Sequence, residues 1–198
     1  KLRNKIGRWP PSILFLKMLS SCNSIEITEE QREQIDQEIN AINSPEEKEA
    51  YLEFLFEEDQ KLRQGQSAEI MLKHGKNSKE FHAFVKEMHQ QDALNLVRVE
   101  KYLEQHGFPK NGEFGSIATS IIPTVIHHSN SYSAREKFFP LLYREYKKGN
   151  YNEGGFAMFL NRMYHFKHGE REPREGTYQQ KDEIEFLIKE LGLKIPDS

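Results

Sequence analysis

The chain has 198 residues, a length that suits one domain. Hydrophobic residues make up 36% and charged residues 30%, yet 13 Phe and 8 Tyr are too many aromatics for a disordered chain. Lys and Arg number 28 against 31 Asp and Glu, so no basic surplus exists to neutralise phosphates and nucleic acid is not an expected partner. One cysteine excludes an internal disulfide and a four-cysteine zinc site. No apolar run is long enough for a bilayer-spanning helix.

The chain opens on a basic stretch, Lys1, Arg3, Lys5 and Arg8, followed by a mostly apolar one from Trp9 to Leu19. It closes at Leu19-Ser20-Ser21-Cys22 and then turns acidic. A charged start, a short apolar run and small residues before a cut describe a signal peptide, here residues 1–22. The ending resembles a bacterial lipobox, in which the cysteine is lipidated and becomes the new N-terminus. Cys22 is therefore the expected lipidation site, anchoring the protein in the cell envelope without a transmembrane helix. The alternative is an amphipathic N-terminal helix packed on the domain, with Cys22 an ordinary thiol and a cytoplasmic address.

After a short linker at 23–27, the punctuation is helical. Thr28-Glu29-Glu30-Gln31 is a capping box, and Ile35, Ile39 and Ile42 give the apolar stripe that follows. Ser44-Pro45-Glu46-Glu47 starts the next helix with an N-cap Ser, Pro at the first position and acids in the first turn. It runs through Leu52, Leu55, Phe56 and Leu62 and stops near Gly65. Ser78 opens a long helix ending at His106-Gly107, with Phe81, Val85, Met88, Leu96, Val99 and Leu103 on its expected buried face. A helix from about Ser116 to His128 contains Pro123, which removes one backbone hydrogen bond and predicts a kink. Ser133-Ala134-Arg135-Glu136 reads as another capping box, for a helix closing at Gly149. Helices over about Glu153 to His168 and Gln180 to Leu191 complete the series, separated by an irregular Pro/Gly loop. Alternating strand patterns are nearly absent. These signals predict an all-α domain over 28–192, of five to six helices around one core, with a tail at 193–198.

The order of polar marks resembles an uncharacterised bacterial domain family of unknown function, over about residues 50–180. The marks are Asp59-Gln60 with Arg63, then Asp92 and Asn95, then the turn His106-Gly107-Phe108-Pro109. His127-His128-Ser129-Asn130 stands where the family has Gln-His-x-Asp, and Asn161-Arg162 where it has Asp-Arg. The closing Tyr-Gly-Thr-Gln is displaced here to Glu175-Gly176-Thr177-Tyr178-Gln179. Two family aspartates are Asn130 and Asn161 in this chain, which puts any mechanism resting on those acids in doubt. The resemblance implies no particular reaction.

Read from the residues, the informative positions are polar ones on apolar stripes. Asp92 lies four residues from both Met88 and Leu96, so it faces the core, where a lone carboxylate would cost several kcal/mol. His128 extends the stripe of Ile117, Ile121 and Val125 at the C-terminal end of its helix. Asp59 and Arg63 share a helix face, and Arg162 borders the buried side of its own helix. These five are expected to converge in one interior cluster. As a site, His128, Asp92 and Asp59 are the candidate catalytic residues, with His128 moving a proton. Arg63, Arg162, Thr177 and Gln179 are the candidate ligand-binding residues, for a small anionic or peptide-like ligand. As structure, the arginines pair the aspartates and fix helix register, and the protein is an envelope interaction module. No metal site or cofactor is expected. His165 and His168 read as a helix end rather than ligands. The aromatic run from Phe138 to Phe166 reads as a helix-hairpin core or, in part, a protein-partner surface.

Overall fold

A computed structural model describes residues 25–170 and 180–196. Cys22, Thr177 and Gln179 lie outside these residues. The described chain is all-helical, in the order α1 (Glu29–Asn40), α2 (Pro45–Gln60), α3 (Gln66–His74), α4 (Lys79–His106), α5 (Ser116–His128), α6 (Tyr132–Lys147), α7 (Glu153–His168) and α8 (Gln180–Leu191). Eight helices therefore stand among the described residues, where five to six were expected. Each capped segment forms a helix of its own, and α3 is an addition. It carries no side-chain N-cap bond and buries no residue fully, so its sequence shows neither a cap nor a buried stripe.

The capping boxes at Thr28 and Ser44 form as read, each with its reciprocal side-chain bond. The box expected at Ser133 does not. Ser131 caps α6 instead, its hydroxyl accepting from the Ala134 N–H, and the helix starts at Tyr132. α5 is helical from end to end with Pro123 inside it.

α5 is the centre of the packing. It is the most apolar of the helices, and it touches α2, α4, α6 and α7. Ala118, Ile121, Ile122, Val125 and Ile126 are all buried in consequence. Ile117, expected on the buried stripe, is 43% exposed because it lies in the first turn, outside that packing. On α4 the deepest side chains are Phe84, Asp92, Asn95, Val97, Arg98, Val99 and Tyr102. Most of the predicted stripe is only half-buried, because this 28-residue helix meets α1, α2, α3 and α5 at different points along its length. The aromatic run forms the core of the α6–α7 hairpin, with Phe139, Phe156 and Phe159 at 2% exposure or less. α8 closes the far side against α7.

α2 and α5 lie side by side in the same direction. Glu49, near the start of α2, accepts from the Gly115 N–H at the start of α5. Asp59, at the end of α2, bonds His128, the last residue of α5. Both C-termini therefore meet at one end of the bundle, against the middle of α4. No described helix is long and apolar enough to cross a membrane.

Candidate functional site

Four of the five predicted residues meet at that end. Asp59 is 1% exposed and Asp92 4%, and both need partners at that depth. Arg63, in the turn after α2, supplies them. Its Nη2 donates to Asp92 Oδ1 at 2.5 Å, and its Nη1 donates to the Asp59 carbonyl at 2.6 Å. Nη1 also stands 3.5 Å from the Asp59 carboxylate. Gln60 Nε2 donates to Asp59 Oδ2 at 2.8 Å. The remaining Asp59 oxygen, Oδ1, is 2.8 Å from His128 Nδ1.

That last contact fixes the state of the ring. An ionised carboxylate only accepts, so Nδ1 must carry the proton in the Asp59–His128 bond. In the neutral imidazole, Nε2 is then the lone-pair nitrogen, and it has no hydrogen bond among the described residues. The His128 side chain is 24% exposed while Asp59 is sealed beneath it. The arrangement is an oriented base with its acceptor atom turned away from the buried acid, the geometry general acid–base chemistry requires. Among the described residues no hydroxyl or thiol is hydrogen-bonded to the ring, and proton transfer to or from water or a bound molecule is the chemistry the arrangement offers. Burial raises the Asp92 pKa, and its bond with Arg63 opposes the rise. Among the described residues no three His, Cys, Asp or Glu side chains gather as a metal ion would need.

Arg162 does not join this network. It sits on the other side of the α5 terminus, its guanidinium carbon 5.1 Å from the Phe166 ring centre, one turn away on α7. Asn161 does not face the cluster either, and its amide donates to Glu183 of α8. Asn130 is exposed. The helix phase of α7 placed Arg162 at the border of the buried side, and the structure leaves it exposed. Phase alone carried no information about which neighbour it would meet.

Three residues that the chemical reading passed over have roles here. Arg135 of α6 is 0% exposed. Its Nε and Nη2 donate to the Ser129 carbonyl at 3.2 and 2.7 Å, and Nη2 also donates to the His127 carbonyl. It thus clamps the backbone on both sides of His128 and satisfies carbonyls that a helix end leaves free. The signal was in the sequence: Arg135 lies three, four and seven residues before Phe138, Phe139 and Leu142, on the apolar face of α6. His127 points away from Asp59, and burial, then Arg135, His128 and Arg162, lower its pKa to about 4. Asn95, a family mark, is fully buried and accepts from Gln91 and Arg98, and Arg98 in turn pairs with Glu38 of α1.

A groove of about 600 Å³ lies elsewhere, between α6 and α8, floored by Ile184 and Ile188 and rimmed by Tyr143, Tyr146 and Lys147. It shares no residue with the Asp59–His128 cluster. Comparison of the chain with protein-family models, with curated proteins and with solved structures finds no match.

Proposed function

We propose that the end of α5 is an acid–base site that binds a small ligand and uses His128 for proton transfer. The observation that carries this reading is the Asp59–His128 contact, 2.8 Å between a 1% exposed carboxylate and a 24% exposed ring. A buried acid on Nδ1 holds the ring in one orientation and one tautomer. Arg63 and Gln60 hold Asp59 in place, Asp92 balances Arg63, and Arg135 fixes the backbone that carries His128. Through these contacts each positions His128, and His128 is the one that would exchange a proton with the ligand.

A second reading, in which the network is structural and the protein an interaction module, is favoured by one specific feature. Arg63 contacts both aspartates, so the cluster is paired without any ligand.

The two readings part on one experiment. His128→Asn keeps a polar group near Asp59 and removes the proton-transfer nitrogen. Wild type and variant are compared for stability in urea and for binding across a library of small metabolites. The acid–base reading expects a variant within about 1 kcal/mol of wild type that loses a ligand the wild type binds. A variant destabilised by about 2 kcal/mol or more, with no ligand found for wild type, would leave the structural reading standing alone.

A further inference from the structure

Around the His127 ring the chain gathers positive charge, with no acid paired to it among the described residues. Arg135 and Arg162 come from α6 and α7, and each guanidinium carbon lies 5.1 Å from the centre of the same ring, Phe166. Their separation is therefore at most twice that distance. Neither guanidinium forms an ion pair among the described residues. The carbonyl clamp accounts for Nε and Nη2 of Arg135, but Nη1 is buried with no hydrogen-bond partner, and so is Nδ1 of His127. The α5 C-terminus offers only about half a negative charge against two cations. Burial, followed by repulsion from Arg162, presses the Arg135 pKa down to about 9, which still leaves it a cation at neutral pH. A fully buried charged donor left unsatisfied is costly, and two like charges against one ring add to that cost. A helix cap needs one arginine, and this place has two.

We propose that Arg135 Nη1, the Arg162 guanidinium and the His127 ring form an oxyanion-binding subsite, which takes a carboxylate or phosphate group of the ligand. The inference rests on the acid–base reading of His128 and narrows it to an anionic ligand. The chemistry fits the donors. A guanidinium presents N–H groups in a fixed fork that matches two oxygens of one anion, and His127, neutral at pH 7, can add one N–H. Arg162 is exposed, so it meets the anion first, and Arg135 supplies the sheltered contact. The His127 and His128 ring centres are 6.0 Å apart, which puts the anchored end of a small molecule next to the proton-transfer nitrogen's ring. An anion held here brings its neighbouring atoms to His128 and leaves the Asp59 side untouched.

The test titrates inorganic phosphate, and separately acetate, into the full chain at low salt and follows backbone amide NMR shifts of residues 127–129 and 135. Saturable shifts there are expected with one or both probes, weakened by added salt. Arg162→Gln, a surface change that spares the fold, is expected to weaken binding about tenfold or more, the loss of one charge-assisted contact. His128→Asn is expected to keep it. No saturable shift in wild type with either probe, or equal affinity in Arg162→Gln, overturns the subsite. The acid–base reading fails differently, when these anions bind as described but no library ligand depends on His128. A ligand that depends on His128 and ignores Arg162→Gln preserves that reading and removes the subsite.

Discussion

Arg63→Ala is expected to cost about 3–5 kcal/mol of folding stability, the range for stranding a buried charge by removing its partner. The magnitude follows from what each carboxylate retains. Asp59 keeps His128 and Gln60, both at 2.8 Å. Asp92, 4% exposed, loses the one cation with which it forms an ion pair among the described residues. Asp92→Asn is gentler, about 1–2 kcal/mol, because Arg63 still holds the Asp59 carbonyl at 2.6 Å. The double variant Arg63→Ala/Asp92→Asn no longer strands a charge and should recover about 1.5 kcal/mol or more relative to Arg63→Ala. The pH dependence has a definite sign. Burial already raises the Asp92 pKa and Arg63 lowers it, so removing Arg63 raises it further. A carboxyl whose folded pKa exceeds its unfolded value favours folding once protonated, and that advantage is lost as pH rises through the folded pKa. The Arg63→Ala deficit is therefore full at neutral pH and shrinks in acid. Urea unfolding followed by far-ultraviolet circular dichroism reads both quantities. An Arg63→Ala variant within about 1 kcal/mol of wild type at neutral pH, the value of a surface pair, would refute the buried-bridge reasoning.

Two further outcomes follow from the same end of the bundle and from the hairpin beside it. His127 has its pKa lowered from 6.5 to about 4, so its contribution is present above pH 6.5 and lost as pH falls toward 4. The loss amounts to about 3 kcal/mol and should vanish from the stability–pH curve of His127→Gln; a wild-type curve flat over that window would contradict it. Gly155→Ala should destabilise by about 1–3 kcal/mol in thermal or urea unfolding, because an added Cβ would lie 2.7 Å from the buried Tyr151 ring. A neutral or stabilised Gly155→Ala would show that the Tyr151 ring yields freely.

What was legible in the sequence was what helix phase and capping carry. Asp92 on an apolar stripe, Asp59 and Arg63 one turn apart, and His128 at the end of the most apolar helix all sit where periodicity places them. They meet because each must satisfy another at depth. Arg162 was expected in the interior cluster and is exposed outside it, since the angle between α5 and α7 is set by tertiary packing and leaves no local trace. Arg135 was masked by a capping pattern that proved two residues out of register, because Ser131 offers the same hydroxyl closer to the end of α5. α3 escaped notice because a helix without a cap bond or a buried face differs little, in sequence, from a polar loop.

The central claim is that His128 is an oriented base, and the protonation of its two ring nitrogens tests it most directly. Long-range nitrogen–proton NMR correlation on selectively labelled histidine, with His128→Asn to assign the signal, reports which nitrogen carries the proton in the neutral ring. The account predicts a single tautomer protonated at Nδ1, held by the 2.8 Å contact with Asp59, that gives way to a mixture in Asp59→Asn. A neutral His128 protonated at Nε2, or a free tautomer mixture in the wild-type protein, would contradict it.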